Sequence, residues 1–355
     1  MIVYQLVPAL HRGDAIGDSI LAIRDQARRR GHQAEVFAID RDAELEGEAG
    51  PLNQFGAAYD PRSVTLLHFA LASPWSEIFG GLKGPRVLVY HNITPAEHFL
   101  PYRPDLVPAA VEGRRQLAAL AGRVDLALAD SAFNREELTT LGYRHTRVWP
   151  IPLDLGRFAG PGERLWRRAL ASGPPALLFV GRIFPNKKIE DLLRLLAACR
   201  ARGLTARLIV AGRAAGMENY LAALHALAAE LELGGEDLLF PGSVSHSALI
   251  ALYRGAALYV SMSEHEGFGV PLLEAMRCGL PVLAYSAAAV PDTLAGAGIT
   301  FDRKDFPRLA ETVRALLYDR ALRAQVLRGQ RRRLQAFRLD RIWSELFALL
   351  EQLAP

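Results

Sequence analysis

The sequence is poor in sulfur and has no long apolar run. Its only two cysteines, Cys199 and Cys278, sit in apolar stretches of helical pattern. Neither has the close spacing of a zinc ligand set, so both read as buried thiols rather than as a disulfide or a metal site. No apolar run approaches the roughly 20 residues of a membrane-spanning helix. The start, MIVYQLVPAL, lacks the basic segment and small-residue cleavage site of a secretory leader. A cytoplasmic location is therefore expected. Two phosphate-binding fingerprints are missing as well, since neither GxGxxG nor GxxxxGK(S/T) follows an expected strand. Dinucleotide-dependent redox chemistry and P-loop NTP hydrolysis are disfavoured.

What is present is a large apolar budget of residues on an alternating pattern. A chain of 355 residues that is 50% hydrophobic and 23% charged exceeds what one core usually spans, which predicts two domains. Short runs rich in β-branched residues recur, each followed by an amphipathic segment. In the first half these are IVYQLVP, AEVFAI, VTLLHFA, RVLVYHNI, VDLALAD and RVWPI; from ALLFVGR onward RLIVAG, DLLFPG, ALYVSM and PVLAYS repeat the pattern. Such alternation reads as βα units on parallel sheets, two doubly wound α/β domains in succession. The Pro- and Gly-rich stretch Pro150 to Gly162 reads as their connection. Three apolar-periodic stretches without strands follow from about Phe306, predicting a helical tail. The boundaries expected are 1–155 for the first domain, 156–335 for the second and 336–355 for a closing helix.

A net charge of +4 and a pI near 9.2 suit an anionic partner: a phosphorylated small molecule, a lipid headgroup or nucleic acid. The basic excess in RGQRRRLQAFRLDR spreads around a helix and reads as a solvated face, with contact to an acidic membrane surface as the alternative.

Four loops at expected strand ends are the candidates for chemistry, with an ordinary βα turn, exposed loop cations and a structural histidine as the respective alternatives for the first three. In LHRGDAIGDSI, Gly13 and Gly17 would let the backbone approach a ligand, and Asp18 or Ser19 would cap the helix running to Arg30. In VGRIFPNKK, Arg182 and Lys187 lie where open α/β folds bind ligands and could neutralise a diphosphate. His91 ends the fourth strand of the first half; Glu97 and His98 follow it, but their spacing across a proline fits no metal-ligand pattern. In SEHEGFGVPLLEAM, Pro271 suits a first helical turn, so Gly267 to Val270 would form the turn and Leu272 onward the helix. Glu266 and Glu274, eight positions apart, would then flank a ligand from the loop and from one turn into the helix. Complementing the helix dipole is the structural alternative for Glu274.

Together, GRIFPNKK and EHEGFGVPLLEAMRCGLPV resemble the retaining nucleotide-sugar glycosyltransferases of family 4, which have the two-domain GT-B fold of two Rossmann-like sheets. ADSAFNREEL, IPLDLGRF and FPGSVSHSALIALYRGA extend the resemblance over most of the chain, most firmly over Ala176 to Phe301. Two departures stand out: GDAIGD spaces its glycines more widely than the commoner Gly-Gly form, and Lys188 stands where glycine often follows the lysine.

The resemblance implies that Arg182 and Lys187 hold the donor diphosphate, that Glu274 binds the ribose hydroxyls, and that Glu266 with the backbone of Gly267, Phe268, Gly269 and Val270 holds the transferred sugar. Ser243 and Val244 would lie against the base, His91 would face the reacting sugar, and the Gly13 to Gly17 loop would bound the cleft. The last helix would cross back onto the first domain. The implied reaction moves a sugar from a nucleoside-diphosphate sugar, UDP- or GDP-linked, to a glycan, glycolipid or small-molecule hydroxyl in glycoconjugate biosynthesis. Cations and N–H groups would do the work of a metal, and no cofactor or nucleic acid is implied. A catalytically silent nucleotide-sugar-binding subunit and a GT-B-like epimerase or phosphorylase are the alternatives.

Overall fold

The protein is described by a computed structural model covering residues 1–11 and 13–354. By internal contacts the chain forms two units, one of 1–97, 105–153 and 337–355, the other of 98–104 and 154–336. The division falls at Leu153/Asp154, and the short stretch 98–104, counted with the first half in the sequence, groups with the second unit.

The first unit holds a seven-stranded parallel sheet of β1 (Ile2–Leu10), β2 (Gln33–Arg41), β3 (Gly50–Pro51), β4 (Val64–Phe69), β5 (Arg86–Tyr90), β6 (Leu126–Ala129) and β7 (Thr146–Val148), in the order β3-β2-β1-β4-β5-β6-β7. The inner strands are covered on both faces, as parallel sheets require. Every residue of β4, VTLLHF, is buried accordingly. The second unit holds a six-stranded parallel sheet of β8 (Ala176–Val180), β9 (Arg207–Ala211), β10 (Leu238–Gly242), β11 (Leu258–Ser261), β12 (Val282–Tyr285) and β13 (Ile299–Phe301), in the order β10-β9-β8-β11-β12-β13. Strand order reverses between β1 and β4 and again between β8 and β11, the switch points at which doubly wound sheets take ligands. The two strands missing from the sequence reading, β3 and β13, have two and three residues. A run that short carries no readable alternation.

Helices Phe306–Tyr318 and Arg320–Arg333 close the second unit, and Asp319 separates them by accepting bonds from the N–H groups of Ala321 and Leu322 at 2.8 and 3.0 Å. The final helix, Leu339–Leu353, belongs to the first unit. Its stripe Ile342, Trp343, Leu346, Phe347 and Leu350 is buried among Val3, Val64, Val87 and Leu128, and its backbone carbonyl at Ile342 accepts from Trp149 Nε1 at 3.0 Å. Among the described residues no helix is long and apolar enough to cross a membrane.

Candidate functional site

In the second unit the loops after β8 and β11, neighbours across the switch point, are stitched together. Glu264 N–H donates to the Asn186 carbonyl at 2.8 Å, and Asn186 Nδ2 returns a bond to the His265 carbonyl at 2.9 Å. Buried Asn186 was not singled out in the sequence, and its neighbours are those that were. Lys187 Nζ pairs with Glu266 Oε1 at 2.7 Å, with side chains 18% and 16% exposed. The pair is drier than a surface ion pair yet reachable from solvent. Arg182, at the start of the same loop, lies over the Phe184 ring at 4.5 Å, and Phe99 meets that ring edge-on at 5.8 Å.

Lys188 explains its own departure from glycine. It adopts the left-handed conformation, φ 50° and ψ 51°, and caps the helix Ile189–Ala201. That conformation costs a non-glycine residue roughly 1–2 kcal/mol. The lysine offsets the cost with ion pairs to Glu264 at 3.3 Å and Glu190 at 3.8 Å. Lys304 then joins Glu264 to Asp191 at 2.7 and 2.8 Å, so three loops share one charge lattice.

Gly269, at φ 89°, caps the helix Val270–Arg277, with Pro271 in its first turn. The helix therefore begins at Val270, two residues before the sequence expectation, because Gly269 alone supplies the left-handed turn. Glu274 is buried on this helix, with Oε2 accepting from the Tyr253 hydroxyl at 2.8 Å and Oε1 from Arg157 at 3.2 Å. Glu266 and Glu274 thus hold different partners. Burial, then Glu266 and Glu274, drive the Tyr259 hydroxyl far up; burial, then Glu274, does the same to Tyr253. Both phenols stay protonated and act as donors, Tyr253 to Glu274 and Tyr259 to the Val180 carbonyl at 3.3 Å. Ser243 is exposed and Val244 half-buried in the loop after β10, just ahead of Ser245, which caps the next helix through the Ala248 N–H at 3.1 Å. Arg182, Lys187, Ser243, Val244, Glu266 to Val270 and Glu274 are therefore brought to loops or a helix start at the carboxyl edge of one sheet.

The remaining candidates lie in the first unit. The helix after β1 starts at Ala15 with Asp14 as cap, one turn earlier than the Asp18 or Ser19 cap expected from sequence. Gly17 makes this possible: a Cβ there would stand 2.1 Å from the His11 carbonyl oxygen, so the turn closes only over hydrogen. Asp18 instead accepts from the Gly13 N–H at 3.3 Å, and Gly13 takes φ 74°. His91 follows β5, the fifth strand once β3 is counted. Its ring is 1% exposed, with Nδ1 at 2.8 Å from Asp130 and Nε2 at 3.0 Å from His68 Nδ1. Both nitrogens are occupied by protein, so in this state the ring faces a buried network and offers no free atom to a sugar.

His98 lies beside His265, ring centroids 6.1 Å apart, in the second unit. An Asp-x-Asp triplet occurs at Asp40, Arg41 and Asp42, but Asp42 pairs with His11 at 2.8 Å. Among the described residues no three metal-type ligands converge. Sequence reasoning missed Gln5, His68, Asp130, Arg157, Asn186, Tyr253 and Lys304. Of these Asp130, Arg157, Asn186 and Tyr253 fall inside the quoted stretches ADSAFNREEL, IPLDLGRF, GRIFPNKK and FPGSVSHSALIALYRGA, whereas Gln5, His68 and Lys304 carried no local signal.

The family described as "Glycosyl transferases group 1" matches residues 163–333. A GDP-mannose-dependent alpha-mannosyltransferase of Mycobacterium tuberculosis is 27% identical over 343 residues, covering 86% of this chain and 85% of the relative. A D-inositol 3-phosphate glycosyltransferase of Geodermatophilus obscurus is 36% identical over 255 residues, 68% of this chain; the chain spans 54% of that relative's length. Among solved structures, Anabaena HepE in complex with UDP and glucose superposes with a TM-score of 0.80 at 20% identity, over 99% of this chain and 100% of HepE.

Proposed function

We propose that the chain is a GT-B nucleotide-sugar glycosyltransferase, as the group 1 glycosyl transferase match and the similar relatives support, and that it transfers a sugar, with retention of configuration, from a UDP- or GDP-sugar held at the carboxyl edge of its second sheet to a hydroxyl of a glycan, glycolipid or small molecule. The observation that carries the proposal is the Lys187–Glu266 pair on loops stitched across the β8/β11 switch point. The leaving group is a nucleoside diphosphate, whose negative charge grows as the glycosidic bond breaks. Arg182, Lys187 and the N–H groups opening the helix at Val270 meet that charge with fixed positive potential, which removes the need for a divalent ion.

Glu274, held by Tyr253 and Arg157, keeps lone pairs for the ribose hydroxyls. Ser243 and Val244 lie against the base. On donor arrival Lys187 is shared with phosphate, and Glu266 turns part of its bonding capacity to the transferred sugar beside the backbone of Gly267 to Val270. Retention follows from attack on the face the diphosphate is leaving, since no second carboxylate is placed as a nucleophile in this scheme. His91 acts through the loop that follows it, its ring being closed in by Asp130 and His68. Contact with an acidic membrane surface through the exposed Arg331 and Arg332 fits a lipid-linked acceptor. The GDP-mannose specificity named for one relative and the UDP complex of HepE support a nucleotide-sugar donor without choosing the base.

The test is a thermal-shift screen of UDP-, GDP- and ADP-sugars, since a bound donor raises stability by mass action, followed by chromatography of the products. Release of free nucleoside diphosphate together with a glycosylated acceptor is expected. A donor that binds and is never consumed would leave only the silent-subunit reading.

A further inference from the structure

Four side chains from four adjacent strands of the first sheet form one buried chain of hydrogen bonds. Gln5 on β1, His68 on β4, His91 after β5 and Asp130 after β6 are each 8% exposed or less. Asp130 Oδ2 lies 2.8 Å from His91 Nδ1, His91 Nε2 3.0 Å from His68 Nδ1, and His68 Nε2 3.0 Å from Gln5 Oε1. Gln5 Nε2 donates to the Ile20 carbonyl at 3.0 Å. The two imidazole planes differ by 6° with centroids 5.3 Å apart. Rings that are coplanar, that far apart and joined nitrogen to nitrogen at 3.0 Å are meeting end to end across one proton.

Donor and acceptor parity then runs in one direction. A carbonyl can only accept, so the Ile20 oxygen fixes which end of the Gln5 amide carries its protons. Gln5 Oε1 must therefore accept from a protonated His68 Nε2. Burial and the neighbouring His91 hold His68 far below the usual histidine range. A neutral His68 with its proton on Nε2 leaves Nδ1 as an acceptor, and His91 must donate to it from Nε2. One more proton is needed between His91 Nδ1 and Asp130 Oδ2.

We propose that Gln5, His68, His91 and Asp130 work as one positioning unit that stores a surplus proton between His91 and Asp130, with every bond donating toward the helix that follows β1. The opposite register, with His91 protonated on Nδ1 alone beside an ionised Asp130, fails twice. It either sets two nitrogen lone pairs 3.0 Å apart between His91 and His68, or moves the clash to Gln5 Oε1. It also leaves a net negative charge in a site 1% exposed, whereas the surplus proton makes the unit neutral. Two further observations agree. Burial raises Asp130 above the usual carboxylate range against the opposing pull of His91. Asp130 Oδ1 has no protein partner, a smaller penalty for the carbonyl of a carboxyl group sharing a proton than for a full carboxylate.

For sugar transfer, and here the inference rests on the reading above, the unit positions the loop after β5. That loop continues into Asn92, a buried residue at φ 74° whose Nδ2 donates to Asn134 Oδ1 at 2.8 Å. A polarised chain that spans four strands fixes where this strained turn stands. His91 thereby loses the role of a proton acceptor, since its Nε2 already bears hydrogen.

The experiment reads ring nitrogens and does not depend on which reaction is catalysed. Long-range proton–nitrogen correlation spectra of uniformly labelled, donor-free protein are recorded at neutral pH, with each histidine assigned through its own backbone. His68 is expected as the Nε2–H tautomer, and His91 with hydrogen on Nε2 and a second proton shared at Nδ1. In Asp130→Asn the amide can donate to His91 Nδ1, so His91 is expected to become a neutral Nε2–H ring while the His68 signals stay in place. A wild-type His68 carrying its proton on Nδ1 overturns the register, whatever the variant does. So does an Asp130→Asn spectrum in which His91 carries hydrogen on Nδ1 alone.

Discussion

The two sheets treat charge at their carboxyl edges in opposite ways. In the first, the His91–Asp130 pair is 1% exposed and ends a closed file of side chains leading to Gln5. In the second, Lys187 and Glu266 stand 18% and 16% exposed, and Glu274 divides its oxygens between Tyr253 and Arg157. A closed network spends its hydrogen-bonding capacity on the protein and therefore shapes the backbone. A half-open pair keeps some for a ligand. Buried charge that has lost its partner is expensive, whereas charge within reach of water can be re-solvated. Under the proposed function, polar side chains would thus serve architecture in one sheet and chemistry in the other.

Substitutions can break this contrast. The largest effect is expected from His91→Ala, which leaves Asp130 and His68 buried without their shared partner. It should cost about 3–5 kcal/mol of stability, the scale of a broken buried pair, read as a fall in the midpoint of chemical denaturation. An unchanged midpoint would move His91 out of the architectural class. Lys187→Ala is its counterpart in the open site: kcat is expected to fall by roughly 10²–10³-fold, the scale of one lost transition-state contact, while the denaturation midpoint stays close to wild type. A variant that unfolds and keeps its turnover would reverse the assignment.

Within the second sheet the two acids can be told apart. Glu274→Ala should weaken binding of the free nucleoside diphosphate by about 1–3 kcal/mol, the worth of a charged hydrogen bond, in calorimetric titration. Glu266→Ala should leave that affinity nearly unchanged and lower kcat for the complete donor. Equal loss of nucleotide affinity in both would abolish the division. A smaller effect belongs to Lys188→Gly, where relief of the left-handed strain opposes loss of the ion pairs to Glu264 and Glu190. The net change should lie within about 1 kcal/mol, measured by denaturation, and a larger loss would mean that the charge lattice outweighs the backbone. Chelation should have the smallest effect of all, with turnover in EDTA matching the untreated rate; restoration by magnesium or manganese after a loss would refute the metal-free mechanism.

Most of the architecture was legible because parallel strands covered on both faces write themselves as apolar runs, and the helix Val270–Arg277 announces itself by a glycine pair and a proline. The candidates of the second sheet were legible for a related reason: Arg182 and Lys187 lie in the loop between β8 and the next helix, Glu266 in the loop after β11 and Glu274 in the helix that this loop opens, all within short stretches of sequence that follow a strand. The buried file could not be read this way. Gln5 lies 63 positions from His68, and His91 lies 39 from Asp130, so strand order in space unites residues that no local spacing relates. Arg157 and Tyr253 reach Glu274 across 117 and 21 positions. His91 was found in the sequence by its strand end, which marks a position and says nothing about the Asp130 and His68 side chains that close over the ring.

The last helix has a consequence for synthesis on the ribosome. Leu346, Phe347 and Leu350 are wholly buried and Ile342 nearly so, and they complete a face of the first sheet whose other contributors, Val3, Val64 and Val87, emerge more than two hundred residues earlier. Through translation of the second unit that face waits uncovered, a sticky surface that favours holding chaperones and slow, late closure over stepwise domain-by-domain maturation. The fragment 1–153 expressed alone would keep the same exposed face permanently and should aggregate, while co-expression with a peptide spanning Leu339–Leu353 should return it to solution.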